Sequence, residues 1–520
     1  MTATEAAGTG RGRAQDLRGF LAALRSAHAG EVLTVEEEVE GEALAALVAE
    51  LASRGRDEVL LCPRVKGAGA TVVTNVFASR RRIARLLGTG PAGLHGAYHE
   101  AAARAVEPRV VPDGPVLQAV REGAAVDLTD PAQLPVLRHF ASDRAPYITG
   151  GVVAVEAPPY APGRAGNLSF HRALVHSRTE LATSLHSRGH LWQLLRMAEE
   201  RGERLPVAMV IGAHPLFLLA ASARVGPGTD ERDIAGGLFG APLDVVRTPR
   251  YGIRVPAGAE IVLEGAIDPG RHADEGPFGE FSGYSSHRST RNVLTVETVL
   301  RRRDALLLDV TGGNSADHLN LARVPRESEM AHKLRERFPE VTALHYPASG
   351  THFHAYVALR PGRPGQARQV MLGLLGWDPY LKTVVAVDDD VDVTRDAEVL
   401  WALATHLQPD RDVFVVDGLP GSPLDPSSSP EGTTSRMALD ATRSPGFDGE
   451  RIRIAPEHLA AARRLLDIRT RLPGAGARPD GAGRRTGLPG RPGDDDTEGP
   501  GGAGPSGGTA GRACGGTPCG

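Results

Sequence analysis

Cysteine is scarce. The chain has 520 residues and three cysteines, too few for a disulfide scaffold, and this points to a reducing, cytoplasmic compartment. Cys62 lies in the apolar run "EVLLCPRV" and reads as a small buried hydrophobe. Cys514 and Cys519 sit in a Gly-rich tail without the second ligand pair of a zinc site. A net positive balance is also lacking: a net charge of -4 gives no nucleic-acid footprint. No apolar run approaches the ~20 residues needed to span a bilayer. The opening "MTATEAAGTGRGRAQ" has no apolar core, so it is expected to be a short flexible arm (1–14) rather than a secretory signal. The P-loop and H-E-x-x-H motifs are missing. Gly88, Gly90 and Gly93 spell G-x-G-x-x-G. They follow a helical "SRRRIARLL" rather than a strand, which predicts a helix C-cap and loop.

What is present is an ordinary globular pattern, with 41% hydrophobic residues. Leu17, Phe20, Leu21 and Leu24 share one helical face, as do Leu44, Leu47, Val48 and Leu51. Short β-branched runs ("EVLLC", "TVVTNVF", "GGVVAVEA", "AEIVLEG", "VLTVETV", "ALLLDV") read as strands, with a helix over 189–204. The alternation predicts an α/β or α+β domain over 15–324. A connecting helix is expected at 325–340, without a core-sized apolar face. A smaller α/β domain follows at 341–454, then a helix at 455–472. Residues 473–520 contain one leucine and no Val, Ile or aromatic, so that tail is expected to be disordered. His352 and His354 would share a strand face without an acid to complete a metal site, and Asp388–Asp390 reads as a solvated turn ending a strand.

One stretch stands out. "DEGPFGEFSGY" places Glu275 and Glu280 either side of a Gly-Pro-Phe-Gly bend. Taken alone it could be a turn with two solvated acids, or a positioned pair. Upstream, "GNLSFHRALVHSRTELATSLHSRGH" carries Asn167, His171, Arg172 and His190, and "GTDERDIAGGLFGAPL" carries Glu231. Asn, His and Glu together suit a hard or borderline divalent cation. Each also has a plainer reading: Asn167 a turn residue, His190 a helix cap, Glu231 a charge at a helix N-terminus.

These segments resemble the UbiD family of reversible decarboxylases, which use prenylated flavin mononucleotide. The likeness runs from about residue 16 to 470, through "LPVLRHFASDRAPYITGGVV", "GNLSFHR", "VPAGAEIVLEG", "DEGPFGEFSGY" and "LWALATHLQPDRDVFVVDGLPGSPLDPS". It implies an N-terminal prenylated-FMN domain with a split β-barrel-like sheet, a connecting helix and a smaller C-terminal oligomerisation domain. It further implies Asn167, His190 and Glu231 as ligands of Mn²⁺ or Mg²⁺ bridging to the flavin phosphate, with K⁺ held near Ala220–Arg224. Ser169, Phe170, His171, Arg172 and Gly189 would line the cofactor, and Lys382 would reach it from the second domain. Glu275, Arg172 and Glu280 would form the acid network, with Glu280 donating the proton. The expected partners are a small carboxylic acid, a flavin prenyltransferase as cofactor supplier, and a second copy in a homodimer or larger homo-oligomer. Nucleic acid and membrane are not expected. The same site could run mainly as a carboxylase, or the chain could be a non-catalytic flavin-binding subunit. Ser285 after Gly283-Tyr284, Phe239 in "GGLFGAPL", Gly189 before His190, Glu280 where the ubiquinone-pathway member commonly has Asp, and the wording of 311–327 depart from common family patterns. These departures point away from a standard ubiquinone-pathway substrate.

Overall fold

The computed structural model describes residues 14–185 and 189–471. The tail expected over 473–520 and nearly all of the N-terminal arm lie outside them. Two units divide the chain, 1–447 and 448–520. The second contributes one described helix, Pro456–Arg471. The first includes both the expected catalytic region and most of the expected oligomerisation region.

The first unit is mixed α/β and is built around a curled, half-barrel antiparallel sheet. Its strands run in the order Tyr147–Ile148, Ala173–Val175, Glu180–Thr183, Asn292–Arg301, Ile261–His272, Leu205–Ile211, Val152–Val155 and Asn167–Phe170. Alternate residues feed two cores. Val152, Ala154, Ala208, Val210 and Val262 enter one; Val153, Val155, Met209, Ile261 and Leu263 enter the other. Burial on both faces explains why these strands read as continuous apolar runs. Each fully buried Val, Leu or Ile contributes about 1.5–3 kcal/mol. The register slips by one at Glu264/Gly265 against Asn292–Arg301, and a Cβ on Gly265 would lie 1.9 Å from the Thr295 carbonyl oxygen.

A smaller sheet of Val32–Thr34, Val59–Cys62, Val72–Thr74 and Leu307–Leu308 lies in the same unit. Helix Leu17–Ala27 starts where Asp16 accepts the Gly19 N–H at 2.7 Å, and it buries Leu17, Phe20, Leu21 and Leu24 as its periodicity predicts. Helix Arg80–Leu86 gives way to Gly88 at φ 72°, so the G-x-G-x-x-G stretch is a helix end and loop. The helix expected over 189–204 spans His190–Glu199.

The connecting helix spans Ala316–Arg337 rather than 325–340, and Pro325 lies inside it. It is more buried than expected, because its inward face is polar: Asp317, Asn320, Arg323, Arg326, Glu327 and Ser328 are all buried. Apolar periodicity cannot register such a face. Partners make it possible. Asp317 accepts the Asn75 and Phe77 amides at 3.1 and 2.6 Å, and Glu327 pairs with Arg80 and His95 at 2.5 and 2.8 Å.

Beyond it lies a five-stranded sheet ordered Val341–His345, His354–Leu359, Thr383–Asp388, Thr433–Ala441, Val413–Pro420. Its central three strands are parallel, and helices Gln366–Trp377 and Asp396–His406 belong to this region. Asp388 ends a strand as expected but is buried, accepting the Arg443 N–H at 3.0 Å. The 388–390 run is therefore not simply solvated. No helix among the described residues is long and apolar enough to cross a membrane.

The bulge gives a stability test. Gly265→Ala must push the new methyl into a backbone oxygen on the paired strand, at a cost of about 1–3 kcal/mol. Its apparent Tm by differential scanning fluorimetry is expected to fall by roughly 3 °C or more; an unchanged Tm would show that the bulge is pliable.

Candidate active site

The site begins on the hairpin of Val152–Val155 and Asn167–Phe170. Strand alternation lines up Asn167, Ser169 and His171. The Ser169 hydroxyl donates to Asn167 Oδ1 at 3.2 Å and lies 2.9 Å from His171 Nε2. Two helices deliver the other members. Glu231 opens helix Glu231–Phe239 behind the N-cap Asp230, and its carboxylate accepts Asn167 Nδ2–H at 2.9 Å and the Leu168 amide at 2.8 Å. His190 opens helix His190–Glu199 behind the N-cap Gly189. Asn167, His190 and Glu231 line one cavity of about 360 Å³. Ser169, Phe170, His171 and Gly189 line it too, as do Ala221, Ala223 and Arg224.

This trio suits a cation. Burial pushes the Glu231 carboxyl up to about 7, and among the described residues no ion pair compensates it. Burial, and then Arg164, hold His190 below its ordinary value, leaving the imidazole lone pair available. A carboxylate, an amide oxygen and a neutral imidazole are donors for Mn²⁺ or Mg²⁺. No group of three or more His, Cys, Asp or Glu among the described residues is placed to hold a metal, so the fit depends on Asn167 as the third ligand. His352, singled out in the sequence, is instead packed 4.6 Å from the Phe281 ring.

A second cavity, of about 350 Å³, shares Phe170 and His171 with the first. Arg172 and Glu280 line it. Arg172 Nε donates to Glu275 Oε1 at 2.6 Å, and Nη2 donates to Oε2 at 3.3 Å. Its Nη1 is in direct contact with Glu280 Oε1, and its guanidinium lies 4.7 Å from the centre of the Phe278 ring. Both carboxylates are buried, at 3% and 5% exposure, so neither is a solvated turn acid. Burial raises the Glu280 pKa, the Arg172 charge lowers it, and the Glu275 charge raises it again, for a net upward shift.

The bend between the two acids is held from outside. Tyr147 Oη accepts the Gly276 N–H at 3.1 Å and donates to the Pro277 carbonyl at 3.3 Å, and Asp143 Oδ1 accepts the Gly279 N–H at 3.0 Å. Gly276 sits at φ 103°, a region closed to most other residues. Next to Glu280, Phe281 packs on His352, Phe353 and Tyr380 with centroids 4.6, 5.4 and 5.9 Å away. The bend is thereby joined to the C-terminal sheet region.

Lys382 is not brought to either cavity. Its ammonium pairs with Asp425 at 2.7 Å and donates to Ser427 at 2.6 Å. The neighbouring Pro423 and Leu424 do line the second cavity. Sequence reading also missed Thr149, Arg288 and His318, all on that cavity's wall. The signal for His318 was local: Ser315, three residues earlier, caps a helix and accepts the His318 N–H at 3.2 Å.

Three family models match consecutive parts of the chain: the N-terminal domain of 3-octaprenyl-4-hydroxybenzoate carboxy-lyase over 24–100, its Rift-related domain over 109–315 and its C-terminal domain over 319–441. The anhydromevalonate phosphate decarboxylase of Aeropyrum pernix is 33% identical, with 76% of this chain and 87% of that one covered. Among solved structures, the UbiD-class enzyme HmfF of Pelotomaculum thermopropionicum with FMN superposes with a TM-score of 0.79 at 34% identity, covering 86% of this chain and 99% of that one. An evolved dimeric form of HmfF with prFMN gives 0.76 at 31%, covering 86% and 98%. Vanillic acid decarboxylase of Sedimentibacter hydroxybenzoicus in its open form gives 0.77 at 28%, covering 88% and 100%.

Removing one ligand tests the trio. His190→Ala, co-expressed with a flavin prenyltransferase, is expected to retain roughly a tenth or less of the bound Mn²⁺ and of the flavin absorbance together. Full flavin with full metal after desalting would remove His190 from the ligand set.

Proposed function

The chain belongs to the UbiD family and is a carboxy-lyase; from that premise we propose that it decarboxylates an aromatic or α,β-unsaturated carboxylic acid, using prenylated FMN as cofactor and Glu280 as proton donor. The observation that carries this reading is the guanidinium of Arg172 shared by two buried carboxylates, in a cavity adjoining the Asn167, His190 and Glu231 trio. In this reading Asn167, His190 and Glu231 would hold a divalent metal that helps to retain the flavin, carbonyls of Ala220–Arg224 would hold K⁺, and Phe170 and His171 lie where the two cavities meet.

Bound there, the prenylated flavin supplies an electron sink for the pair released when the C–CO₂ bond breaks. The chain's own residues do the rest. Arg172 orients the substrate carboxylate by charge-assisted hydrogen bonding, and Glu275 fixes the plane of that guanidinium. Glu280, protonated because burial disfavours its charge, transfers its proton to the carbon that has lost CO₂. The product is R–H plus CO₂, and the Glu280 carboxylate that remains is stabilised by Arg172 until solvent returns a proton. Carboxylation is the same path reversed, with Glu280 as the base.

Lys382 acts here as an anchor for the 423–427 segment through Asp425, rather than as a cofactor ligand. Residues 15–324 would carry the cofactor and 341–454 would pair subunits. The strand Val413–Pro420 is an edge of its sheet, with Val415 60% exposed, and another copy would cover it. The cytoplasm and a flavin prenyltransferase complete the setting.

Glu280→Gln is expected to keep the bound flavin while CO₂ release falls by about 10²–10⁴-fold. Near-normal CO₂ release would exclude Glu280 as the donor. The pH profile gives an independent check. The raised Glu280 pKa means kcat is high at low pH and falls as pH rises through that pKa. Glu275 helps to raise it, so Glu275→Gln is expected to move the basic limb of kcat to lower pH. A limb that stays put or moves upward would contradict this coupling.

A further inference from the structure

We propose that Arg288 captures the acid at the mouth of the second cavity: its guanidinium supplies the countercharge and the hydrogen bonds that an incoming carboxylate cannot obtain from Arg172 alone. This rests on the reading of that cavity as the acid-binding site, and it makes Arg288 a residue of affinity rather than of bond breaking.

Counting donors shows the need. A guanidinium offers a fixed fork of N–H groups, one on Nε and two on each Nη. In Arg172, Nε donates to Glu275 Oε1 at 2.6 Å. Nη2 donates to Glu275 Oε2 at 3.3 Å and to the Arg288 carbonyl at 3.1 Å. Nη1 donates to Glu280 Oε1, so its second N–H is what remains for a substrate. The charge is committed as well, since this one cation already serves two carboxyl groups. A carboxylate that leaves water for the cavity brings about four acceptor sites and must find a countercharge. The imidazoles on the wall do not supply it. His171 lies 2.9 Å from the Ser169 hydroxyl and 3.1 Å from the Ser184 carbonyl oxygen, and burial holds His318 below its ordinary pKa.

Arg288 is the cation at hand. Among the described residues that line the cavity it is the one guanidinium besides Arg172. It is exposed and yet lines the cavity, which puts it at the mouth. Its neighbour Arg291 is paired with Asp274 at 3.0 Å; among the described residues the Arg288 guanidinium has no such ion pair. The backbone beneath it is nevertheless fixed. The Arg288 N–H donates to Ser286 Oγ at 3.1 Å, and its carbonyl holds Arg172. Two residues on, Thr290 Oγ1 accepts the Leu185 N–H at 2.7 Å and the Thr290 N–H donates to Ser184 Oγ at 3.2 Å. A long side chain on an anchored backbone can meet a carboxylate at the entrance and present it to the last N–H of Arg172, with the fork geometry that suits a carboxylate. The carboxylate charge disperses as CO₂ leaves, so this contact favours the bound acid over the transition state. Its loss weakens binding without slowing bond breaking.

The test compares acids with their uncharged amides on the flavin-loaded protein, prepared with a flavin prenyltransferase. Dissociation constants are measured by calorimetry at low and high NaCl, for cinnamate against cinnamamide and for furan-2-carboxylate against furan-2-carboxamide. In the unsubstituted protein the acid is expected to bind at least ~10-fold tighter than its amide in one pair or both, with a preference that shrinks as salt rises. Arg288→Gln is expected to cut that preference by roughly 5–10-fold and to flatten its salt dependence while flavin content stays the same. Arg288→Lys, which keeps the charge, is expected to restore part of it. Acids that bind no tighter than their amides, a preference that survives Arg288→Gln, or a loss of flavin in that variant overturns the role of Arg288 and leaves the acid-site reading standing. Failure of both acids to bind overturns that reading, and this inference with it.

Discussion

A single guanidinium placed between two carboxylates is the constraint on which the rest of the structure depends. Glu275 and Glu280 are buried and Arg172 is half-buried between them, and a charge left unpaired there would cost several kcal/mol. Each therefore makes the others tolerable, and the bend must deliver its two acids to opposite sides of one planar group. This explains why so much backbone is committed to the turn: Tyr147, Asp143 and the Gly313 amide all hold it. Arg172 lies two residues beyond the strand that provides Asn167, Ser169 and Phe170. The register of that strand sets the face presented by Asn167 and Ser169, and a slip of one residue would turn both away from Glu231.

Neighbouring polar networks keep that geometry without adding apolar area. Asp309 accepts from Thr74 at 3.0 Å and from Thr149 at 2.9 Å, and lies 3.0 Å from His139, so a fully buried carboxylate supports the cavity wall from behind. The helix Ala316–Arg337 does the same on another side. Arg326 forms a buried pair with Asp378, to which Tyr346 also donates at 2.8 Å. Buried ion pairs are weak evidence of stability, and their value here is positional. They fix the helix that carries His318 relative to the sheet that carries Lys382 and the 423–427 segment.

This division explains what could be read from the sequence. Apolar periodicity identified Leu17–Ala27 and most strands of the main sheet, since their burial is apolar and local. The candidate residues Asn167, Arg172, His190 and the two acids came from the family likeness carried by "GNLSFHR" and the E-G-P-F-G-E-F run, since residues so far apart in sequence cannot be assembled from local pattern. Long-range facts were not legible. The helix from Ala316 looked too polar to be buried, since nothing local reveals that Arg80 and His95 await Glu327. Lys382 was expected at the cofactor because its proximity to Asp425 depends on residues over forty positions away.

Two ionisable groups on the wall of the second cavity, Glu280 and His318, are tuned by the same balance. Burial moves a carboxyl and an imidazole in opposite directions, but both towards their neutral forms. The Glu280 pKa is raised and the His318 pKa is lowered. Arg172 acts on both: its charge eases deprotonation of Glu280 and further discourages protonation of His318. An acid bound to that guanidinium would neutralise part of its field just as catalysis begins. The Glu280 pKa would then rise further and the proton would be held until the C–CO₂ bond is ready to break. In the proposed mechanism, binding and proton delivery would thus be coupled through one side chain.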